Sequence, residues 1–440
     1  MHPIEPLAVA LRGKGPVTLV KRLRTIGRRY GLTTAKMDHS LKQLSQILHR
    51  FGCSATLPIT AVALARNSAS IQEYQAQGME FAIHGYVHVD YSQLSLEEQR
   101  IHLREACRTF RDHGIHFEGF RCPYLRCNQD TLTALSQANL TYDSSASLAW
   151  DIDGHVVDNY HQVLDFYGAQ SAADYLALPR LDTEKDLVRI PYCLPDDESL
   201  VERLRWSSSV EMNQVWPAMF HQIHRRGELF TLGLHPERIR DCSSALVATL
   251  REARADTKAV WCVRLSEIAS WWRARYSAVV DVADVQDGVF KLTIQGPAGT
   301  TLLLRSVDAR TATKPWWNGY QRASEMPGVV RASKRPFIGV SPGSAPALLS
   351  FLKQQGYIVE VSSKPDSYFF YLDRSSFFPG QERPLIVQIE GADFPLIRLG
   401  RWPNGARSAL VVTGDIDALT LWDYGLRFFE KSGRVRPGSC

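Results

Sequence analysis

The chain has 440 residues, enough for two or three domains, and its 45% hydrophobic and 22% charged residues suit a globular fold with a sizeable core. A formal net charge of +5, without like-charge blocks or basic patches interleaved with aromatics, gives no reason to expect a nucleic-acid partner. No run of about 18 apolar residues is present, which excludes an ordinary membrane-spanning helix.

The N-terminus, "MHPIEPLAVALRGKG", lacks a basic region followed by a long apolar one, and the basic stretch 12–31 reads as a solvated helix face. Eight scattered cysteines with no C-x-x-C pair fit reduced thiols, so a cytoplasmic location is expected. Residues 37–51 space Leu41, Leu44, Ile47, Leu48 and Phe51 as a helix face, with Gly52 to end it. "CSATLPIT" follows as a short buried strand, then a helix over 69–77 and the strand "MEFAIHG". Residues 95–114 open on a capping box, Ser95 and Glu98, and close on Gly114. "FEGFRCPY" reads as strand and turn, "NQDTLTALSQANL" as helix, "ELFTLGLH" as strand, "CSSALVATLREARA" as helix, "AVWCVRL" as strand and "SEIASWWRARY" as helix.

This alternation over 37–276 predicts a parallel sheet with crossover helices, a barrel or a doubly wound sheet. The ionisable residues His84, His88, Arg121 and His235 follow strand C-termini, the edge where such folds keep their active sites. After Tyr276 the pattern becomes antiparallel β, and 335–362 returns to α/β around "SPGSAP", a turn without the lysine and glycine spacing of a phosphate loop. The chain closes on "WPNGARSALVVTGDID", a buried strand running into Asp415 and Asp417.

"HGYVH" sets His84 and His88 four apart, a spacing that shares a face on a helical turn. Gly85 occupies the place of the glutamate base in the zinc-protease pattern. A catalytic zinc takes three protein ligands and keeps one position open. The third could be Asp38 or Asp90 nearby, or the distant Asp415 or Asp417. No G-x-S-x-G elbow supports serine catalysis.

The ordered series H-x-x-x-H, "RCPY" and "LGLH", with "ATLPIT", "YDSSASLAWD" and "VRLSEIASWW", resembles the NodB-type polysaccharide deacetylases, the family 4 carbohydrate esterases, over about residues 37–276. Those enzymes open on a strand ending in two acids. Here the matching slot holds "TTAKMDHS", with Asp38 alone, while "WPNGARSALVVTGDID" at the other end has the missing form. The resemblance therefore implies a distorted (β/α) barrel, circularly permuted. Its main part would be 1–278, accessory regions 279–334 (β-rich) and 335–400 (α/β), and 401–440 would return its first strand.

By the same resemblance Asp417, His84 and His88 bind zinc or another divalent transition metal. Asp415 is the general base toward the attacking water, and Arg121 orients it. The Tyr124 backbone N–H helps hold the oxyanion, and His235 protonates the departing amine. Asp143 and Trp150 stand for the family's acid-and-tryptophan motif in contact with or behind the substrate. Asp38 as the surviving ligand, and a degenerate metal-free site, are the alternatives. The expected activity is removal of N-acetyl groups from a carbohydrate. A small-molecule amide on the same site is the runner-up, and a carbohydrate-binding protein using 279–400 is the third reading. The pattern names no particular sugar and no oligomeric state.

Overall fold

The computed structural model describes residues 26–151, 165–203, 209–255, 259–286 and 288–430. Runs such as Ala55–Ile59 and Leu229–Gly233 are buried at every position. Strands covered on both faces lose the alternation of half-exposed ones, and parallel sheets under helices have this texture. The runs join a twelve-stranded curled sheet. Its order across the middle is Tyr192–Leu194, Leu229–Gly233, Ser408–Thr413, Ala55–Ile59, Glu80–Ile83, Gly119–Phe120 and Tyr142–Asp143, with all these neighbours parallel.

The late strand sits in the centre of this sheet. Ser408–Thr413 pairs with Leu229–Gly233 over five residues and with Ala55–Thr56 near its end. Val260–Cys262 pairs with its beginning. Beyond the strand, the Ile416 N–H donates to the Pro58 carbonyl at 2.8 Å, so the acidic segment continues alongside Ala55–Ile59. The chain that follows runs back to the start of the described residues. Gly31 and Thr420 form a parallel bridge, and the Tyr30 and Tyr424 rings lie 5.4 Å apart.

Most of the crossover helices lie where periodicity places them: Ala35–Arg50, Leu96–Asp112, Gln129–Gln137, Ile239–Ala253 and Leu265–Tyr276. The Ser95 capping box forms with both arms, the Glu98 N–H reaching Ser95 Oγ at 3.3 Å and Glu98 Oε2 accepting from the Ser95 N–H at 2.8 Å. One reading needs correction. The expected helix over 69–77 is the second of two, Ala61–Arg66 and Ser68–Ala76, broken at Asn67. "FEGFRCPY" contains a strand of only two residues, Gly119–Phe120, because Pro123 and the left-handed Tyr124 turn the chain. The stretch from 165 to 226 adds short strands and the helix Ser209–Arg226, which has an internal proline.

The β-rich texture after Tyr276 resolves into two four-stranded sheets. A three-stranded parallel sheet, Val359–Val361, Arg335–Val340 and Tyr368–Leu372, accompanies the helices Pro346–Gln354 and Glu382–Gly391. The division at 334/335 does not hold as a structural boundary. Leu396–Leu399 pairs antiparallel with Leu302–Arg305, so strands from both regions share one sheet. The accessory part is fastened to the barrel by polar contacts. The Gln354 carboxamide accepts from Leu181 N–H at 2.8 Å and donates to Leu181 carbonyl at 3.2 Å. Arg383 donates to both Glu228 carboxylate oxygens at 3.0 and 3.2 Å.

Candidate metal centre

Five strand ends deliver the ionisable side chains to one edge of the sheet: Ile83 to His84, Phe120 to Arg121, Leu194 to Asp196 and Asp197, Gly233 to His235, and Thr413 to Asp415 and Asp417. Of these, His84, Asp196, His235, Asp415 and Asp417 line a cavity of about 390 Å³ together with His88, Tyr124, Glu198, Glu237 and Arg427, and Arg121 and Asp197 stand behind them.

His84, His88 and Asp417 converge, their ligand atoms all within 4.8 Å of one another. Asp417 Oδ1 lies 3.5 Å from His84 Nε2 and 3.3 Å from His88 Nε2. The histidines do not sit on a helical turn, as their spacing suggested; they stand on an irregular loop after the strand Glu80–Ile83. Gly85 makes that loop possible. Its φ is +83°, and a Cβ there would lie 3.0 Å from the Val87 carbonyl oxygen and from the Tyr91 ring. Only glycine accepts that conformation without strain, which explains why the zinc-protease glutamate has no counterpart here. The His84 Nδ1 lies 2.9 Å from the Arg121 carbonyl oxygen, so it is the protonated nitrogen and Nε2 presents its lone pair to the centre.

Asp417 Oδ1 is buried and makes no hydrogen bond, while Oδ2 is held by Arg427 Nη2 at 2.9 Å. Burial alone would raise this carboxyl's pKa, but Arg427 holds it well below the usual carboxylate range. One orphaned anionic oxygen facing two imidazole nitrogens is a donor set that fits a divalent cation of the zinc type.

Asp415, two residues earlier, faces the same way. Arg121 Nη1 donates to its Oδ1 at 2.8 Å, and its Oδ2 lies 3.8 Å from His84 Nε2. Arg121 is itself fully buried, donating to the Ser144 carbonyl at 3.1 Å and Ser144 Oγ at 2.8 Å and stacked over Tyr192 with its Cζ 4.6 Å from the ring centre. Opposite, His235 Nδ1 lies 2.9 Å from Asp197 Oδ1, and Arg238 Nε lies 3.6 Å from Asp197 Oδ2. Burial opposes the charged imidazole, yet the charge and hydrogen bond of Asp197, with Glu237 behind them, raise its pKa well above that of a free histidine.

The remaining expected residues fall in different places. Tyr124 lines the cavity with positive φ, its ring edge-on to His88 at 4.5 Å. Asp143 is fully buried beneath the site. Its Oδ1 accepts from Ser145 Oγ, and Ser145 Oγ in turn accepts from the Cys122 N–H at 2.8 Å. It therefore sits behind the "RCPY" turn. Trp150 does not line the cavity; it is a core side chain, 1% exposed, with Arg226 stacked on it at 5.0 Å. Asp38 lies outside the centre on the helix Ala35–Arg50, its carboxylate taking the Thr34 hydroxyl at 2.7 Å. Asp90 caps the next turn and pairs with Arg126 at 3.1 Å. Cys122 is fully buried, and burial pushes its thiol pKa far up, so it is inert. Asp197, Glu198 and Arg427 were not anticipated. "LPDDES" after a short apolar run was the available signal for the first two; nothing local marks Arg427.

A family model described as "Polysaccharide deacetylase" matches residues 32–142. Over this quarter of the chain the sequence is similar to the polysaccharide deacetylase family. Within it lie "ATLPIT", both histidines and "RCPY"; the acids at 415 and 417 lie outside it. The chain is also similar to the peptidoglycan deacetylase-like protein FGM2 of Gibberella zeae, 29% identical over 123 residues. That match covers 26% of this chain and 34% of the relative. Solved structures similar to the chain include a protein described as a polysaccharide deacetylase from Mycobacterium smegmatis, at 20% identity and a TM-score of 0.43, covering 58% of this chain and 82% of that one. Another is the Puue allantoinase, at 19% identity and a TM-score of 0.44, covering 60% and 78%.

Proposed function

We propose that this chain is a metal-dependent hydrolase that removes N-acetyl groups from a carbohydrate. The observation that carries the reading is the convergence of His84, His88 and Asp417 beside the Arg121–Asp415 pair, with His235–Asp197 across the same cavity. The deacetylase family of residues 32–142 supplies the amide of an N-acetylated sugar as the substrate class.

His84, His88 and Asp417 would hold the ion. A divalent cation there supplies Lewis acidity, making a water nucleophilic at neutral pH and polarising the acetyl carbonyl. Asp415 takes the proton from the attacking water. Arg121 aims that carboxylate, and the pair is held by contacts that do not depend on substrate. The Tyr124 N–H, on a left-handed turn at the cavity wall, supports the charge developing on the carbonyl oxygen. His235, kept protonated by Asp197, gives its proton to the departing amine. The two ends of the reaction thus fall to two ion-paired groups with opposed pKa demands.

We read the barrel as circularly permuted. Two features support this: the strand Ser408–Thr413 lies between Leu229–Gly233 and Ala55–Ile59, and Thr420 pairs with Gly31. In this reading the acids enter from the end of the chain, and Asp38 is a helix residue only.

Acetate release from N-acetylated oligosaccharides tests the function. Asp415→Asn should reduce kcat by roughly 10²–10⁴, the usual contribution of general base catalysis, with bound metal retained. Undiminished hydrolysis in this variant would overturn the assignment of the base.

A further inference from the structure

Among the described cysteines, Cys107, Cys122, Cys193 and Cys242 are buried, whereas Cys53 and Cys262 are half-buried and their thiols share a hydrogen bond. The sheet brings these two together from distant parts of the chain. Cys262 pairs with Leu410 and Ala55 with Val412, while Leu229–Gly233 fills the other side of the strand Ser408–Thr413. Val260–Cys262 and Ala55–Ile59 therefore lie end to end along one side of that strand. Two residues before Ala55, Cys53 reaches the level of Leu410, where Cys262 already stands. Just beyond, the Leu265 N–H donates to Thr56 Oγ1 at 2.9 Å and ties the two segments together.

Arg254 completes the cluster. Its Nε donates to the Phe51 carbonyl at 2.7 Å, and its Nη2 donates to the Gly52 carbonyl at 2.7 Å and lies 3.5 Å from Cys53 Sγ. The guanidinium thus fixes the turn that carries Cys53 and sets a positive charge against its sulfur. The hydrogen bond from Cys262 and, against burial, the charge of Arg254 bring the Cys53 thiol down to about 7. The same hydrogen bond and burial push the Cys262 thiol up. One proton shared by two sulfurs leaves the anion on Cys53, and a thiol that ionises near ambient pH is the most effective attacker in exchange. Cys122 also touches Cys127, but it is fully buried and burial keeps it protonated.

We propose that Cys53 and Cys262 form a thiol–disulfide exchange site, with Cys53 the attacking sulfur, Cys262 the resolving one and a low-molecular-weight disulfide of the glutathione type the oxidant. The Cys53 thiolate attacks one sulfur of the small disulfide, whose S–S bond breaks, and the expelled half leaves as a thiolate that takes up a proton. Cys262 then loses its proton and attacks Cys53 Sγ in the mixed disulfide, expelling the second half as a thiol. The protein's two thiols give up two electrons and two protons, and the small disulfide receives both. The new bond closes the loop 53–262 and joins the two segments that edge the C-terminal strand, at the end of the sheet away from the metal centre. The inference is independent of the function proposed for that centre.

The test exposes the full chain, reduced and freed of reductant, to glutathione disulfide near neutral pH. Free thiols are counted and the digested protein is mapped by mass spectrometry. Two thiols should be lost, Cys53 and Cys262 should appear in one linked peptide pair, and dithiothreitol should reverse both changes. A cross-link over so long a loop restricts the unfolded chain, so the thermal midpoint should rise by ~4 °C or more on oxidation. Cys262→Ser should stop at a glutathione adduct on Cys53, and Cys53→Ser should give neither adduct nor bond at Cys262. Arg254→Gln should slow the first step several-fold, because the thiolate loses its counter-charge. An unchanged thiol count, a bond joining other cysteines, or an adduct on Cys53 of the parent chain that never resolves would each overturn the proposal.

Discussion

His235 carries a pH signature that a histidine without a buried carboxylate would lack. Burial works against its protonation, and Asp197 more than reverses this, so its pKa lies well above the free value of about 6.5. A raised histidine stabilises the fold fully below the unfolded pKa and loses that contribution as pH climbs through the folded one. Asp197, held low by the same partner against its own burial, contributes above the unfolded aspartate value of about 3.9 and loses it as pH falls through its folded value. The pair therefore stabilises most between these two unfolded values. In catalysis the alkaline limb of kcat should follow His235. Asp197→Asn should move that limb downward toward or below about 6.5, since burial is then unopposed. A pH–rate profile reads this directly, and an unmoved limb would mean that another group supplies the proton. In the sequence His235 was visible as a polar residue at a strand end. Its partner was not, because Asp197 reaches it from a different strand end, 38 positions away.

The element that decides the site is the strand Ser408–Thr413, and its identity was legible. An all-apolar run followed by D-x-D has the form of a parallel strand entering an active site. The two acids share a direction because the chain stays extended past Thr413. The strand and turn of "FEGFRCPY" were legible too, with Pro123 and the left-handed Tyr124 making the turn soon after Phe120. The H-x-x-x-H spacing suggested a helical face, whereas Gly85 bends a loop to the same end. Gly414 makes the strand's placement testable. A Cβ on it would come within 2.3 Å of the Leu234 carbonyl oxygen on the neighbouring strand. That oxygen is backbone and the next atom, at 3.2 Å, belongs to the Pro236 ring, so no flexible side-chain end is there to yield. Gly414→Ala should cost about 1–3 kcal/mol, as overpacked positions do, and should displace Asp415, the next residue. Denaturant unfolding measures the first effect; unchanged stability would place the strand elsewhere.

At the scale of the whole molecule, alternation of strands and helices marked the barrel and the shift in texture at 279 marked the accessory part. The sheet shared between Leu302–Arg305 and Leu396–Leu399 was not legible, since nothing in either strand specifies a partner some 90 residues away. Nor was the polar fastening of the two parts. Arg383→Ala would leave Glu228, 2% exposed, buried without its cation. Removing one partner of a buried pair costs about 3–5 kcal/mol, so thermal unfolding should shift down as a single transition. An accessory transition that separates while the barrel's stays fixed would contradict a fastening role.

The central claim is that the metal centre is assembled from both ends of the chain, two histidines from one and an aspartate from the other. Metal content and affinity of purified protein, compared among the parent chain, Asp417→Ala and Asp38→Ala, test it most directly. The parent and Asp38→Ala should each hold about one divalent ion, as a three-ligand site does, and Asp417→Ala should lose it. Loss of the ion in Asp38→Ala with retention in Asp417→Ala would contradict the account.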